Sequence, residues 1–394
     1  MELRTARRGL ACQVATALSL LVVAVFFAMG GGRSPAASHG AELGWRPDRT
    51  WVFAVGILEW QHPDIWAGFP AAVKNRADVR FVHRLREHGV PDEQIVFLKD
   101  QQATKVRIHA KFGELLDRTE EGDLLIFYFA GHGYRDRETN QTWFAQFDAG
   151  KKDASGWAVK NIFKMIENRF SGDRALLLAD CCHSGALYDE VKQRTDAEIG
   201  YAAITSSYSH NTSTGSWTFT DSLVKAFDGR PTADYDGDEF VELDEAARYI
   251  SGEMAFVEGQ KSMFTASADF AENTKVARAV GKALPKAGSH CEALSEGDWF
   301  KAEVLEYDAA SNQYKVHYLD YSADFDEWLE ASKVRAYTPP QYAVGAKIEA
   351  RDDEGKWYPA VVRQSWYGLH LVHYDNYDET WDEWLGPARV RPRK

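Results

Sequence analysis

Short apolar runs alternate with amphipathic stretches between residues 51 and 254. Near-continuous apolar runs predict buried strands at 51–57, 94–98, 124–130, 175–179 and 202–206. Apolar positions that recur at helical spacing predict helices at 71–88, 104–119, 157–169, 220–227 and 243–254. Strands that are apolar on both faces and separated by helices are typical of an α/β fold with a largely parallel sheet. In such sheets, functional side chains gather where the strands end.

The C-terminal part of the chain contains an internal duplication. It follows a linker that we predict at 279–290. Three blocks recur at a nearly constant offset: 297–304 with 355–362, 317–321 with 373–377, and 326–329 with 382–385. Self-similarity at a fixed period indicates repeated structural units. We therefore predict two copies of one small β module, at 291–338 and 339–394.

Composition narrows the classes of protein that the chain can belong to. The formal net charge is −13, from 59 acidic and 46 basic side chains. Such a balance argues against a general nucleic-acid binder, which needs a basic surface to meet phosphates. The chain has four cysteines, of which Cys181 and Cys182 are adjacent, and this pattern is not that of a disulfide scaffold.

Two motifs fall at the ends of predicted strands. His132 follows the strand at 124–130, and Cys182 follows the strand at 175–179. A thiol attacks a peptide carbonyl as the thiolate, and a histidine can accept its proton and return it to the leaving amine. A lone buried cysteine is usually a small hydrophobic residue, and a lone histidine in a glycine-rich turn is usually structural. The two together, a glycine-flanked histidine and a cysteine soon followed by glycine, favour catalysis.

The segments at 124–133 (LLIFYFAGHG) and 175–185 (ALLLADCCHSG) resemble the two signature segments of the caspase and metacaspase superfamily. The His-Ser-Gly that follows Cys182 is similar to the metacaspase branch and its bacterial relatives. This resemblance implies a caspase-like domain at 50–278, with a mostly parallel sheet flanked by helices. It also implies a cysteine endopeptidase.

The resemblance assigns roles to individual residues. Cys182 matches the nucleophile and His132 the general base, and the amides of Gly133 and Cys182 match the oxyanion hole. Asp180 matches an acidic S1 residue that selects Arg or Lys at P1; the alternative is that it only orients the loop. Asp78 is a candidate second S1 acid, with a solvated helix face as the alternative.

The N-terminal residues predict a membrane segment. Three arginines precede an uncharged, mostly apolar run over 10–29, whose length suits a membrane-spanning helix or the core of an export signal. The basic flank predicts that the rest of the chain lies outside the cytoplasm. We predict an uncleaved transmembrane anchor at 1–30, a tether at 31–49 and an extracytoplasmic catalytic domain. Cleavage near 36–38 would instead give a secreted protein.

Metacaspases often depend on calcium, and the acidic stretch at 234–238 followed by Glu245 superficially resembles an EF-hand loop. However, Gly237 stands at loop position four, whereas an EF-hand requires glycine at position six. We predict no metal site and no cofactor, with calcium as an activator the alternative.

Each C-terminal module contains a Trp, a Tyr-x-x-Tyr pair and an Asp-Glu-Trp, and resembles chromo-barrel (Tudor-knot) or agenet-like Tudor modules. The resemblance implies small all-β, SH3-like barrels, some of which bind methylated lysine in an aromatic cage. The candidate cage residues are Trp299, Tyr318, Tyr321 and Trp328 in the first module, and Trp357, Tyr374, Tyr377 and Trp384 in the second. Alternatively, Trp299 and Trp328 belong to the module core.

Two functions follow from these features. The first is an endopeptidase that cuts polypeptides after Arg or Lys through Cys182 and His132. The second is a weakly active or inactive caspase-like scaffold that acts as an adaptor through its paired modules. The predicted partners are polypeptide substrates, the membrane and an unknown ligand of the modules; nucleic acid is not expected.

Overall fold

A computed structural model describes residues 43–136, 138–150, 156–195, 197–280 and 290–393, all within one unit, His39–Lys394. The strands of its first part are β1 (Thr50–Gly56), β2 (Ile95–Lys99), β3 (Leu124–Ala130), β4 (Gly133–Asp136), β5 (Gln141–Phe144), β6 (Trp157–Ala158), β7 (Arg174–Asp180), β8 (Gly200–Thr205), β9 (Phe240–Glu242), β10 (Met263–Ala266) and β11 (Lys275–Arg278). The α-helices are α1 (Pro70–Val73), α2 (Ala77–Glu87), α3 (Lys105–Leu116), α4 (Val159–Arg169), α5 (Ala186–Lys192), α6 (Thr218–Phe227) and α7 (Leu243–Glu253).

The central sheet has the strand order β10-β8-β7-β3-β1-β2 among the described residues. All neighbours are parallel except β10, which pairs antiparallel with β8. Alternate side chains of β3 pack on opposite faces, because successive residues of a strand point to opposite sides. Phe127 and Phe129 pack in the core with α3 and α4, whereas Ile126 and Tyr128 pack in the core with α2, α6 and α7. The predicted, mostly parallel α/β sheet is confirmed.

The helix predicted at 71–88 is divided into α1 and α2. The break occurs at Arg76, whose backbone is extended with φ −68° and ψ 98°. Its guanidinium donates to the Gly56 carbonyl at 2.9 Å and forms an ion pair with Asp78 at 2.7 Å. These bonds hold the segment against the end of β1, so the chain leaves the helical path to reach them.

The C-terminal modules consist of five strands each. The first module contains β12 (His290–Ser295), β13 (Asp298–Asp308), β14 (Gln313–Tyr318), β15 (Glu327–Glu330) and β16 (Val334–Ala336); the second contains β17 (Lys347–Arg351), β18 (Trp357–Trp366), β19 (Leu369–Tyr374), β20 (Glu383–Leu385) and β21 (Val390–Pro392). Both have the same antiparallel order, β15-β14-β13-β12-β16 and β20-β19-β18-β17-β21. Their long strands are irregular at equivalent positions, between Val304 and Glu306 and between Val362 and Gln364. The predicted all-β duplication is therefore confirmed.

The prediction of a single-pass membrane protein requires correction. The apolar run at 10–29, on which the predicted anchor and the export of the chain depended, lies outside the described residues. Within the described ranges, no helix combines the length and the apolar character needed to cross a bilayer. The longest α-helix there, α3, has 12 residues and is about 18 Å long at 1.5 Å per residue, against a hydrocarbon core of about 30 Å. The predicted membrane anchoring is not supported.

Candidate active site

The edge of the sheet brings the two candidate catalytic segments together. Ala130 and Asp180, the last residues of β3 and β7, lie directly opposite each other. The N–H of Gly131 donates to the Asp180 carbonyl at 3.2 Å, so the strands stay paired up to the point where both chains turn. His132 and Cys182 each follow their strand by two residues and line the same cleft. Parallel pairing therefore brings the two predicted residues to one site.

Gly133 lies against the backbone of the Cys182 segment. A Cβ atom at this position would overlap the carbonyl oxygen of Cys182 and lie 3.2 Å from the Cys181 sulfur. Only a residue without a side chain permits this approach. The amides of Gly133 and Cys182 consequently belong to adjoining backbone segments, as an oxyanion hole built from both would require.

Aromatic rings and one carbonyl hold the imidazole of His132. Its ring centroid lies 4.5 Å from that of Trp60, 5.5 Å from Trp66 and 4.7 Å from Phe69. Nε2 lies 2.7 Å from the carbonyl oxygen of Ala67. Because a carbonyl can only accept, this bond assigns the proton to Nε2 and leaves Nδ1 as the acceptor of the neutral ring. Ala67 acts through its backbone, so the sequence carries no signal for it.

The two adjacent cysteines have different surroundings. Cys181 is buried, and burial raises the pKa of its thiol well above the ordinary value. Cys182 is half-buried at the cleft, and its sulfur accepts a hydrogen bond from the N–H of Ser213 at 3.1 Å. An N–H directed at sulfur stabilises negative charge there. The geometry therefore suits Cys182, and not Cys181, as a nucleophile.

The residues after Cys182 form a rigid turn. His183 has a positive φ of 57°, and its Nδ1 lies 3.0 Å from the Ser209 carbonyl. The Ser184 hydroxyl is fully buried and accepts from the N–H of Ser207 at 3.1 Å. A side chain on Gly185 would overlap the backbone at Ser209. The His-Ser-Gly sequence thus packs the Cys182 turn onto the segment that follows β8.

Asp180 lies at the floor of the cleft, which encloses about 460 Å³ of open space. Its side chain is buried, and its Oδ2 accepts a hydrogen bond from Thr220 at 2.6 Å. Burial raises the pKa of this carboxyl from 3.8 to about 7, although the bond from Thr220 acts in the opposite direction. A carboxyl in this position can be neutral when the cleft is empty and ionised when a cation enters it.

Asp78 is not placed in the cleft. Its carboxylate is fully buried, paired with Arg76 at 2.7 Å, and accepts the N–H of Val79 at 2.9 Å. Both sequence interpretations of Asp78 therefore need correction, because the residue neither lines the cleft nor lies on a solvated helix face. Its observed contacts fix Arg76 at the end of β1.

Acidic side chains cluster in the turn before β9. Asp234, Asp236 and Glu245 could each offer an oxygen to one ion, and so could Asp236, Asp238 and Glu242. Glu245 accepts the N–H of Asp236 at 3.1 Å, so part of the cluster stabilises the turn itself. Oε2 of Glu242 is buried and has no hydrogen-bond partner in the described chain. Burial, with Glu245 nearby, raises the pKa of Glu242 to about 8.

Each C-terminal module carries an aromatic pocket. The first aromatic pocket holds about 580 Å³ of open space and is lined by Ser295, Glu296, Phe300, Tyr318, Tyr321, Phe325 and Glu327. The second aromatic pocket holds about 940 Å³ and is lined by Tyr358, Tyr374, Tyr377, Trp381, Asp352, Asp353, Glu354, Glu383, Thr380 and His210. Aromatic rings with acidic groups at their edge suit a cationic ligand.

Half of the predicted cage residues lie elsewhere. Trp299 and Trp357 do not line the pockets; the guanidinium groups of Arg335 and Arg391 each lie 4.0 Å from their rings. Trp328 is 43% exposed outside the first pocket, whereas the equivalent Trp384 is 7% exposed. The tyrosine pairs 318/321 and 374/377 line the pockets.

The sequence prediction missed four pocket residues, namely Phe300, Tyr358, Phe325 and Trp381. Phe300 and Tyr358 directly follow the two tryptophans along a strand, and adjacent strand residues point to opposite faces. The prediction therefore selected the wrong face. Phe325 and Trp381 lie in short 3₁₀ turns at equivalent places in the repeat, so the repeat offset would have revealed them as a pair.

Comparison with known families gives three matches along the chain. The family described as "Caspase domain" matches residues 77–273, half of the chain. The Tudor-knot family, described as "RNA binding activity-knot of a chromodomain", matches residues 285–336. The agenet domain matches residues 345–394.

Individual proteins are similar to parts of the chain. Metacaspase-4 of Arabidopsis thaliana is 28% identical over 127 residues, which cover 30% of this chain and 30% of that protein. Metacaspase-9 of the same plant is 26% identical over 145 residues, covering 34% and 43%. The chain thus spans less than half the length of these curated relatives. The Drosophila initiator caspase Dronc aligns over 64% of this chain and 95% of its own at a TM-score of 0.37 and 12% identity.

Proposed function

Because the chain belongs to the caspase-domain family of cysteine peptidases, and carries a Tudor-knot and an agenet domain after it, we propose that it is an endopeptidase that hydrolyses peptide bonds after Arg or Lys. One observation supports this most strongly. Cys182 and His132 line a single cleft that has an acidic side chain at its floor.

The proposed reaction begins with proton transfer from Cys182 to Nδ1 of His132, which is the acceptor nitrogen of the neutral ring when Nε2 donates to Ala67. The thiolate attacks the carbonyl carbon of the substrate, and the amides of Gly133 and Cys182 stabilise the oxyanion. The imidazolium then gives its proton to the leaving amine, which departs and leaves a thioester. His132 next takes a proton from water, whose oxygen attacks the thioester, and the thiol is restored when the acid product leaves.

Asp180 explains the preference proposed for P1. A guanidinium or ammonium at the cleft floor would pair with its carboxylate, and a charge-assisted bond in a buried site is stronger than one in water. The cation also favours the ionised form of a carboxyl whose pKa is raised to about 7 by burial. A substrate with an acidic P1 residue would meet repulsion from the same group.

The hypothesis of an active peptidase accounts for more features of the site than the hypothesis of an inactive scaffold. A scaffold needs neither a histidine with one tautomer fixed by Ala67 nor a half-buried thiol that accepts an N–H from Ser213. Both features have a direct use in thiol catalysis.

We assign the two modules to binding cationic side chains of proteins. The description of the Tudor-knot family names RNA, but Glu296 and Glu327 line the first aromatic pocket and would repel phosphate. An alkylammonium group would find aromatic faces and negative charge together in both pockets.

Peptide turnover tests the proposed activity. The full chain is incubated with fluorogenic peptides that carry Arg, Lys or Asp at P1, with and without calcium. We expect turnover of the basic peptides, its loss in Cys182→Ala, and its retention in Cys181→Ala, which removes the neighbouring thiol as a matched control. Equal rates in the wild type and Cys182→Ala would contradict the peptidase, and a preference for Asp at P1 would contradict the role of Asp180.

A further inference from the structure

The segment between β8 and α6, residues 206–217, connects the cleft to the second module; we call it the cleft loop. On one side it contacts the candidate nucleophile. Its Ser213 donates an N–H to the Cys182 sulfur at 3.1 Å, and its Asn211 carbonyl accepts the N–H of His183 at 2.9 Å. Residues 213–217 also line the cleft. The position of this loop therefore sets the surroundings of the Cys182 thiol.

On the other side, the cleft loop is bonded to the second module. The Asn211 side chain accepts the N–H of Trp384 at 2.9 Å and donates to the carbonyl of Trp384 at 2.9 Å. Nδ1 of His210 lies 2.8 Å from the carbonyl of Asp382. Asn211 is 6% exposed, so water competes little for these bonds. One residue thus bonds to the Cys182 turn through its backbone and to β20 through its side chain.

His210 also forms part of the second aromatic pocket. It lines that pocket together with Tyr358, Tyr377 and Trp381 of the module. Trp381 directly precedes Asp382, the residue whose carbonyl His210 contacts. A ligand in this pocket therefore touches the catalytic domain and the second module at once.

The chemistry of the pocket indicates a cation. Asp352, Glu354 and Glu383 line it beside the aromatic rings, and the ammonium of Lys356 already lies 4.9 Å from the Tyr358 ring centroid. A quaternary or methylated ammonium group matches such a pocket, because its charge is spread over methyl groups that contact aromatic faces.

We infer that an alkylammonium side chain bound in the second aromatic pocket controls the reactivity of Cys182 through His210 and Asn211. This inference rests on the proposed role of Cys182 as the nucleophile. A ligand that contacts both His210 and Trp381 binds the docked arrangement of the cleft loop better than an undocked one, and so raises its population. In the docked arrangement the N–H of Ser213 is held on the Cys182 sulfur, which favours the reactive thiolate. Since such coupling is reciprocal, a ligand in the cleft would also strengthen binding in the pocket.

The test uses choline as the cation and 3,3-dimethylbutan-1-ol as its uncharged counterpart of the same shape. The full chain is titrated with each compound at constant ionic strength, and binding is followed by saturation-transfer NMR of the methyl protons. The rate of Cys182 alkylation by iodoacetamide is measured by peptide mass spectrometry. We expect choline to raise this rate saturably by roughly fivefold or more, in the ordinary range of coupling between sites, and the neutral alcohol to leave it unchanged.

Four variants separate the pocket from the coupling. Trp381→Ala should abolish the effect of choline, whereas Phe325→Ala, the equivalent change in the first module, should preserve it. Asn211→Asp replaces the N–H₂ that bonds to Trp384 with an acceptor, and should leave choline bound but without effect on Cys182. His210→Ala removes a side chain that lines the pocket as well as the contact with Asp382, so it should weaken both the binding of choline and its effect on Cys182.

The outcomes of these experiments test the coupling separately from the proposed peptidase activity. Binding of choline to the wild type without a change in Cys182 alkylation would overturn the coupling, and absence of binding would overturn the site. Equal effects of choline in the wild type and Trp381→Ala would overturn the assignment to this pocket. Alkylation needs no peptide turnover, so loss of the proposed peptidase activity alone would not produce any of these results.

Discussion

Replacing Asp180 with asparagine removes a buried carboxyl from the cleft floor while keeping the size of the side chain. The asparagine oxygen can still accept the hydrogen bond that Thr220 donates at 2.6 Å. The change therefore separates the charge of Asp180 from its packing, and its effect on stability can be worked out from the environment of the carboxyl.

Burial raises the pKa of Asp180 from 3.8 to about 7, so the folded protein holds this proton more tightly than the unfolded chain does. Because the pKa of Asp180 is higher in the folded protein, the protonated carboxyl contributes to the free energy of unfolding. This contribution is fully present below pH 3.8 and is lost as the pH rises through 7. The interval from 3.8 to about 7 spans about 3 pH units, so at about 1.4 kcal/mol per pH unit the loss amounts to about 4 kcal/mol. Asp180→Asn has no carboxyl to ionise and escapes this loss. The free energy of unfolding of Asp180→Asn minus that of the wild type should therefore be larger at pH 8 than at pH 4, by about 2 to 4 kcal/mol.

Urea unfolding of the wild type and Asp180→Asn at pH 4, 6 and 8 measures this difference. Asp92→Asn serves as the control, because Asp92 is an exposed carboxylate that pairs with Arg86 at the surface and surface pairs contribute little. A difference between wild type and Asp180→Asn that is the same at all three pH values would refute the reasoning. In peptide assays, the same variant should lose roughly 100-fold or more in kcat/KM for Arg at P1, as expected when a buried charge loses its partner.

Three further predictions concern the same domain. Gly133→Ala should abolish peptide turnover while the chain stays folded by circular dichroism, because its Cβ would overlap the carbonyl of Cys182; near-normal turnover would contradict the proposed oxyanion hole. Iodoacetamide should label Cys182 well before Cys181, whose thiol has its pKa raised by burial, and peptide mass spectrometry would show the order; equal labelling would contradict the buried position of Cys181. We expect calcium to replace the proton of Glu242, whose pKa is about 8. Calcium, but not magnesium at equal ionic strength, should therefore raise the melting temperature of the protein at pH 7. Glu242→Gln should then lose the increase; a calcium effect that is unchanged in this variant would contradict a site at the acidic cluster.

Local sequence patterns were sufficient to predict the five parallel strands of the sheet, though not the antiparallel edge strand β10, and to bring His132 and Cys182 to one cleft. Strands buried on both faces leave long apolar runs, and the parallel order brings residues after β3 and β7 to one edge. The two signature segments also predicted the caspase and metacaspase family, and the family matches confirm that resemblance. Both results depend on residues that are close in sequence or on strands that are neighbours in the sheet.

Contacts between distant segments could not be predicted in the same way. The break at Arg76 depends on a carbonyl at Gly56, and the tautomer of His132 depends on the carbonyl of Ala67. Backbone carbonyls are present at every position, so their use leaves no trace in the sequence. The error at Trp299 has a different cause, since the alternation of side chains along β13 was visible and the wrong face was chosen.

The two modules have the same strand order and the same internal histidine–aspartate hydrogen bonds, yet their equivalent tryptophans differ in exposure. His317 pairs with Asp326 at 2.6 Å and His373 pairs with Asp382 at 2.7 Å, so the architecture around these positions is conserved between the copies. The tryptophan two residues later is 43% exposed in the first module, as Trp328, and 7% exposed in the second, as Trp384. Part of this difference lies within the modules, because Trp384 packs beside Leu369 and Leu371, where the first module has Gln313 and Lys315. The rest lies in the catalytic domain, since Trp384 also packs with Ala255 and Tyr208 and Asn211 bonds to its backbone. The second module therefore bonds to the cleft loop that contacts Cys182, whereas Trp328 of the first module is exposed.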